Sequence, residues 1–140
     1  MFKFSKRYST LNIEANVDFE DNVAIIKDNS GTGKTFLFKI IASHCAVNHI
    51  KYTLFNYNHK DVSLSTFKQG VSDADVVIMD NADLYMTPEL FEYLKKCGKQ
   101  VILSIKQLHN LTTYENCGFY KVKYVNNALK TVRKNYDIVI

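Results

Sequence analysis

The chain has 140 residues, of which 46% are hydrophobic and 23% are charged, a composition that excludes a disordered protein and predicts one domain spanning residues 1–140. No apolar run reaches the roughly 18 residues of a membrane span, and the basic N-terminus lacks the apolar core of a secretory signal. The formal net charge is +4, but residues 99–140 carry +5 and the rest −1, so the basic character belongs to the C-terminal third. Sixteen of the eighteen basic residues are Lys, which argues against a sequence-specific DNA reader. The three cysteines are odd in number and predict a reduced, cytoplasmic location.

The first half of the chain shows a strand pattern followed by a strand–loop–helix pattern. Apolar residues alternate over 11–17, which predicts a half-buried strand, and 23–26 form a continuous apolar run typical of a buried strand. After a Gly-containing loop, apolar residues recur at helical spacing over about 34–47. Residues 50–55 predict a second inner strand.

The second half continues the alternation of strands and helices. One helical turn is predicted near 64–68, a third buried strand at 76–79, a helix from the Thr87-Pro88 start to Gly98, and a fourth strand at 101–103. A basic β-hairpin follows, with strands at 119–125 and 128–133 and a turn at Asn126-Asn127; a last strand is predicted at 137–140. The pattern predicts an α/β fold with a mainly parallel sheet and a C-terminal hairpin.

The strongest chemical signal lies between the buried strand at 23–26 and the first helix. Residues 28–35 read Asp-Asn-Ser-Gly-Thr-Gly-Lys-Thr, and small residues before a helix let successive backbone amides surround a phosphate. The predicted nucleotide-binding residues are Asn29, Ser30, Gly31, Thr32, Gly33, Lys34 and Thr35. In this interpretation Lys34 holds the outer phosphates and Thr35 holds Mg²⁺. The alternative is an ordinary surface loop.

A second signal is the apolar strand at 76–79, which ends in Asp80. A carboxylate at the tip of a buried parallel strand lies at the edge where open α/β sheets bind ligands. Asp80 is therefore predicted to hold Mg²⁺ together with Thr35. The alternative role for Asp80 is that of a turn or capping residue.

These two segments resemble the Walker A and Walker B motifs of the P-loop nucleoside triphosphatases. The intervening strand at 50–55, and the later strand ending near Ser104, make the chain more similar to the ATPase branch than to the small-molecule kinases. The resemblance implies a three-layer P-loop sandwich in a minimal single-domain form that binds ATP and Mg²⁺. Two residues depart from the family pattern, since Asp28 replaces the first Gly and Asn81 replaces the Glu that usually follows the Walker B Asp.

The resemblance also implies catalytic roles. Lys34 and Asp80 carry over directly, Asp83 is the nearest acid able to replace the missing Glu, and Ser104 matches a sensor position. Asp83 is equally consistent with a solvated loop acid, and Ser104 with a plain hydroxyl at a strand end. Arg7 and Arg133 are the only arginines, and a surface ion pair is favoured over an arginine finger for each.

The basic C-terminal third suggests a nucleic-acid partner. Its candidate residues are Lys121, Lys123, Lys130, Arg133 and Lys134, interleaved with Phe119, Tyr120 and Tyr124. Lysines among aromatics suit phosphate contacts and stacking on single strands. In the alternative, the aromatics face the core and the lysines only solvate an edge hairpin.

Three functions follow from these observations. The first is an ATP-binding, Mg²⁺-dependent ATPase that acts with a partner protein, a second copy of itself or nucleic acid. The second is a non-hydrolysing nucleotide- or nucleic-acid-binding module, suggested by Asp28 and Asn81. The third, a small-molecule phosphotransferase, is disfavoured because the chain has two arginines and no long insertion for an acceptor lid.

Overall fold

The computed structural model describes residues 2–27, 33–59, 61–107 and 117–134. The strands are β1 (Phe2–Tyr8), β2 (Ile13–Phe19), β3 (Val23–Lys27), β4 (Tyr52–Phe55), β5 (Val76–Met79), β6 (Gln100–Ile105), β7 (Cys117–Val125) and β8 (Ala128–Lys134). The helices are α1 (Lys34–Val47), α2 (Leu64–Ser72) and α3 (Pro88–Lys96). Short 3₁₀ turns occupy Ser9–Leu11, Tyr57–His59 and Ala82–Leu84. No helix in these ranges has the length and apolar character needed to cross a bilayer.

All eight described strands form one mixed sheet in the order β1-β2-β8-β7-β3-β6-β5-β4. The pairs β1–β2 and β7–β8 are antiparallel, and the other five neighbouring pairs are parallel. Because β6 lies between β3 and β5, the strand ending near Ser104 separates the strand before the Gly-containing loop from the strand before Asp80.

The core lies on both faces of this sheet. Residues Leu37, Ile41 and Cys45 of α1 pack with β1, β2, β3, β7 and β8 on one face. On the other face, α2 and α3 cover β3, β5 and β6. The alternation along β3 follows this division, since Ala24 and Ile26 belong to the first cluster while Val23 and Ile25 belong to the second. This arrangement explains the continuous apolar run at 23–26, because a strand covered on both faces needs apolar residues at every position.

Several predicted elements match the structure closely. Helix α1 has the predicted bounds, and the hairpin has the predicted Asn126-Asn127 turn, in which both residues adopt positive φ. Thr87 caps α3 as expected, its hydroxyl accepting a hydrogen bond from the Leu90 amide at 3.1 Å. The mixed α/β class is therefore confirmed, whereas the strand predicted at 137–140 lies outside the described residues.

Other predictions were wrong in position or extent. Strand β4 is the outer strand of the sheet rather than an inner one, and Tyr52 and Leu54 are exposed. The hairpin does not lie at the sheet edge, as the alternative interpretation of its lysines assumed: β7 pairs with β3 and β8 with β2. Helix α2 has nine residues instead of a single turn. Strand pairing between residues about 100 positions apart leaves no signal in local hydrophobic spacing, which explains the errors in strand order.

The N-terminal part of the sheet also differs from the prediction. Strand β2 begins at Ile13 because Ser9–Leu11 form a 3₁₀ turn closed by Asn12 at φ +50°. Strand β1 was missed, although its buried Phe2 and Phe4 alternate with exposed Lys3 and Ser5. The alternation is short and ends in a basic, polar stretch, which obscured a strand that pairs along its whole length with β2.

Candidate functional site

The N-terminus of α1 is built differently from those of the other two helices. Gly33 precedes α1 in the left-handed region, at φ +90°, and no side chain caps the helix. In contrast, the Ser63 and Thr87 hydroxyls each accept an amide hydrogen bond at the start of α2 and α3. The first amides of an α-helix have no partner within the helix, so those of α1 remain directed toward the preceding loop, where an anion would be favoured.

Lys34 is buried at this helix start. Its side chain is only 6% exposed, because it shares the helix face of Leu37 and Ile41 that packs on the sheet. Its Nζ atom has no hydrogen-bond partner among the described residues. A buried, unpartnered ammonium group is costly, so the site fits a bound anion.

An open cleft of about 490 Å³ lies in front of this helix start. It is lined by Gly33, Lys34, Thr35, Phe36, Lys39, Asn81 and Lys106. Lys39 and Lys106 were not among the predicted site residues. Lys106 directly follows β6, at the same end of the sheet as Asp80. This position after a buried strand is the sequence feature that could have indicated its place in the site. The cleft therefore collects three lysine side chains.

Asp80 follows β5 and is held by the neighbouring strand. The Ser104 hydroxyl donates a 2.9 Å hydrogen bond to Asp80 Oδ1 and accepts one of 2.8 Å from the Asn81 amide. Ser104 is fully buried and pairs with Ile26 of β3. Its hydroxyl thus orients the Asp80 carboxylate, and the sensor role remains a prediction.

The turn after Asp80 brings in a residue that the sequence analysis missed. The Tyr85 hydroxyl donates a 2.7 Å hydrogen bond to the Asp80 carbonyl oxygen. Burial, with smaller contributions from the charges of Asp80 and Asp83, raises the pKa of Tyr85 far above its ordinary value. Asp83 Oδ1 is buried and has no hydrogen-bond partner within the described ranges. Two carboxylates therefore lie near one neutral hydroxyl.

The described residues bring part of the predicted site together. Thr35 is exposed and lines the cleft, as does Asn81, which adopts φ +49° directly after Asp80. Within the described ranges no three His, Cys, Asp or Glu side chains converge on a metal position. Asp80 and Thr35 were predicted to hold Mg²⁺, and of the two only Thr35 lines the cleft. The predicted residues Asn29, Ser30, Gly31 and Thr32, with Asp28, lie outside the described residues.

The basic residues of the hairpin have two different environments. Lys121, Lys123 and Lys130 are exposed, and Lys134 is half-buried. Arg133 forms the expected surface ion pair, with Nε 2.9 Å from Asp21 Oδ2. That same Asp21 oxygen accepts a 2.8 Å hydrogen bond from the Tyr120 hydroxyl. Arg133 therefore fastens β8 to the turn before β3, whereas the three exposed lysines face solvent.

Comparison with known proteins gives structural neighbours only. No protein-family model and no curated protein matches the chain. Among solved structures it is similar to a DNA replication initiation factor, with 17% identity and a TM-score of 0.53 over 66% of this chain and 36% of that one. It is also similar to AMPPCP-bound DnaA from Aquifex aeolicus, with 17% identity and a TM-score of 0.50 over 66% and 35%. A DnaA bound to AMPPCP and single-stranded DNA gives 19% and 0.50 over 65% and 35%.

These similarities bear on the fold. The chain spans about a third of the length of each of these neighbours. At such low sequence identities the similarity shows the fold alone. The described site places an uncapped helix start, a buried lysine and a strand-end carboxylate at one end of the sheet. The chain therefore shares a mixed α/β fold with these neighbours.

Proposed function

We propose that this protein binds ATP with Mg²⁺ and hydrolyses it, acting with a partner protein, a second copy of itself or nucleic acid. The observation that carries the proposal is the Lys34 ammonium, buried at the uncapped start of α1 with no partner among the described residues. A triphosphate supplies the negative charge that this group lacks. Lys39 and Lys106, which line the same cleft, add positive charge suited to phosphates.

Each residue has a distinct role in this proposal. Lys34 and the first amides of α1 bind the outer phosphates, with the amides of residues 30–35 completing the cradle. Thr35 and Asp80 are the residues that would hold Mg²⁺, which offsets phosphate charge when it is bound. The Ser104 hydroxyl is a positioning group, because its bond to Oδ1 limits rotation of the Asp80 carboxylate. The AMPPCP bound by the DnaA neighbour supports a nucleoside triphosphate as the ligand.

Hydrolysis needs a group that orients the attacking water. Asn81 is a poor base, whereas Asp83 has a buried carboxylate oxygen without a partner in the described ranges. In the proposed step, a water oxygen bonds to the γ-phosphorus as the bond to the bridging β,γ-oxygen breaks. Asp83 accepts the water proton, and ADP and phosphate leave.

The proposal is tested with purified protein, Mg²⁺ and ATP. We expect nucleotide binding and phosphate release in the wild type, loss of both in Lys34→Ala, and loss of release with retained binding in Asp83→Asn. The exposed Asp61→Asn substitution is the matched control and leaves both intact. Phosphate release at the level of the Lys34→Ala variant, with and without nucleic acid, would exclude turnover.

The same assay separates the two alternative functions. ATP binding without release would support a non-hydrolysing nucleotide-binding module, as Asp28 and Asn81 suggest. Transfer of label from ATP to a nucleoside or sugar would indicate a phosphotransferase. A reduced, cytoplasmic location is part of the proposal, and its support is that Cys45, Cys97 and Cys117 are all free thiols.

A further inference from the structure

The hairpin β7–β8 has one buried face and one exposed face. Val122 and Leu129 are buried and join the cluster beneath α1. Lys121, Lys123 and Lys130 alternate with them and are exposed, as strand periodicity requires. These three lysines, here called the lysine face, lie on the opposite side of the sheet from α1.

The strand register places like charges side by side on this face. Lys123 is directly opposite Lys130, and Lys130 is next to Asn16 of β2, which is opposite Ser5 of β1. Like charges directly opposite each other destabilise an antiparallel pair. None of the three lysines has an ion pair with another described residue. Within the described residues no ion pair offsets this repulsion, although Glu14 and Asp18 lie on the same face, two positions to either side of Asn16 on β2.

No described helix covers the lysine face. Helices α2 and α3 lie on this side of the sheet, but the apolar cluster beneath them includes no residue of β1, β2 or β8. Among the described residues, the surface that no helix covers comprises β1, β2, β8 and the part of β7 beyond Phe119, about 14 Å across at a strand separation of about 4.8 Å. The row from Lys123 through Lys130 and Asn16 to Ser5 contains no apolar side chain, while Val125 and Val132 lie on the same face beside it.

The hairpin exposes no aromatic side chain on this face. Phe119 is on the same side of the sheet as the lysines but is 3% exposed in the cluster beneath α2 and α3, and Tyr120, 2% exposed, belongs to the cluster beneath α1. Tyr124 is exposed but points to the other side, in register with buried Leu129. The lysine face thus offers charge without an aromatic platform, so it suits contacts to a phosphate backbone and not the stacking of unpaired bases.

We infer that the lysine face binds the phosphate backbone of duplex nucleic acid without reading its sequence. The partner is chosen by charge complementarity: three exposed lysines without an ion pair among the described residues, on a broad surface that no described helix covers, match a dense array of phosphates. Lysine binds phosphate as a point charge and is a poor bidentate reader of base edges. This inference goes beyond the ATP-binding proposal and does not depend on it, because the cleft and the lysine face share no residue.

The test measures binding of a labelled 30-base-pair DNA duplex of mixed sequence across a series of KCl concentrations. Three phosphate contacts predict a slope of about −2.7 in log affinity against log salt, or about 40-fold weaker binding at 200 mM than at 50 mM. The variant Lys121→Gln/Lys123→Gln/Lys130→Gln is expected to bind at least 10-fold more weakly at 50 mM and to lose most of the slope.

The matched control removes the same charge elsewhere. Lys51, Lys68 and Lys96 are exposed residues outside the hairpin, and their triple substitution by Gln is expected to change affinity less than two-fold. Equal weakening in both triple variants would overturn the inference, as would unchanged binding in the lysine-face variant. Circular dichroism and thermal melting confirm that each variant is folded, so that loss of binding is not loss of structure.

Two further comparisons identify the partner. A 30-base-pair RNA duplex distinguishes the two sources of duplex phosphate, and preference for either duplex supports the inference. Tighter binding to single-stranded dT30 or to phosphatidylserine vesicles than to both duplexes would overturn it. Lys34→Ala is expected to keep duplex binding. The duplex-binding test can therefore be interpreted even if the ATP-binding proposal is wrong.

Discussion

Replacing Lys34 by Met is expected to stabilise the nucleotide-free protein while abolishing its response to ATP. Lys34 is 6% exposed, and its ammonium has no partner among the described residues. An unsatisfied buried polar group costs about 1–3 kcal/mol, and Met keeps most of the aliphatic packing against the sheet. At about 3 °C per kcal/mol for a domain of this size, the melting temperature without nucleotide should rise by about 3–9 °C.

Addition of ATP is expected to raise the melting temperature of the wild type but not that of the variant. A ligand at 100 times its Kd stabilises the folded state by about 2.7 kcal/mol, equivalent to about 8 °C in the wild type. In Lys34→Met this shift should vanish because the phosphate partner is gone. The assay is thermal unfolding with and without Mg²⁺ and ATP, supported by urea titration.

A control on the same helix separates the effect of burial from that of charge. Lys39 lines the same cleft but is exposed, so Lys39→Met should change the nucleotide-free stability by no more than about 0.5 kcal/mol. The reasoning is refuted if nucleotide-free Lys34→Met unfolds at lower temperature than the wild type, since Lys34 would then already have a stabilising partner. It is equally refuted if the variant keeps the ATP-dependent shift.

Three other predictions concern the supports of the site. Ser104→Ala leaves the Asn81 amide and Asp80 Oδ1 without the hydroxyl that bonds both. The free energy of unfolding, measured by urea titration, should therefore fall by about 1–3 kcal/mol, whereas the control substitution Ser72→Ala, at an exposed residue, should change it little. Gly33→Ala and Gly98→Ala both force a side chain into a left-handed backbone, at φ +90° and +74°, with a cost of about 1–3 kcal/mol each. Of the two variants, only Gly33→Ala should weaken ATP binding, as measured by calorimetry. Equal ATP affinities of the two variants would contradict a role for the start of α1. Burial raises the pKa of Asp21, but hydrogen bonds from Arg133 and Tyr120 outweigh it and leave the pKa lowered; the stability difference between wild type and Asp21→Asn should thus be full above about pH 5 and disappear as pH falls below about 4. A difference that persists at pH 2 would show that charge is not its origin.

The sequence by itself determined the elements that depend on neighbouring residues. The bounds of α1, the Thr87 cap and the Asn126-Asn127 turn follow from helical spacing, capping chemistry and tolerance of positive φ. The placement of Lys34 at a helix start after a buried strand was also local information. These features were predicted correctly because their energetics are set within a few residues.

Only the tertiary structure decided which strands are neighbours and what each charged residue contacts. It placed β7 beside β3, made β4 an edge strand, and added β1 to the sheet. It also paired Arg133 with Asp21, buried Phe119 and Tyr120, and left three lysines exposed on the side of the sheet opposite α1. The physical reason is that such contacts join residues far apart in the chain, and their free energy depends on the burial of whole faces, which one-dimensional spacing does not contain.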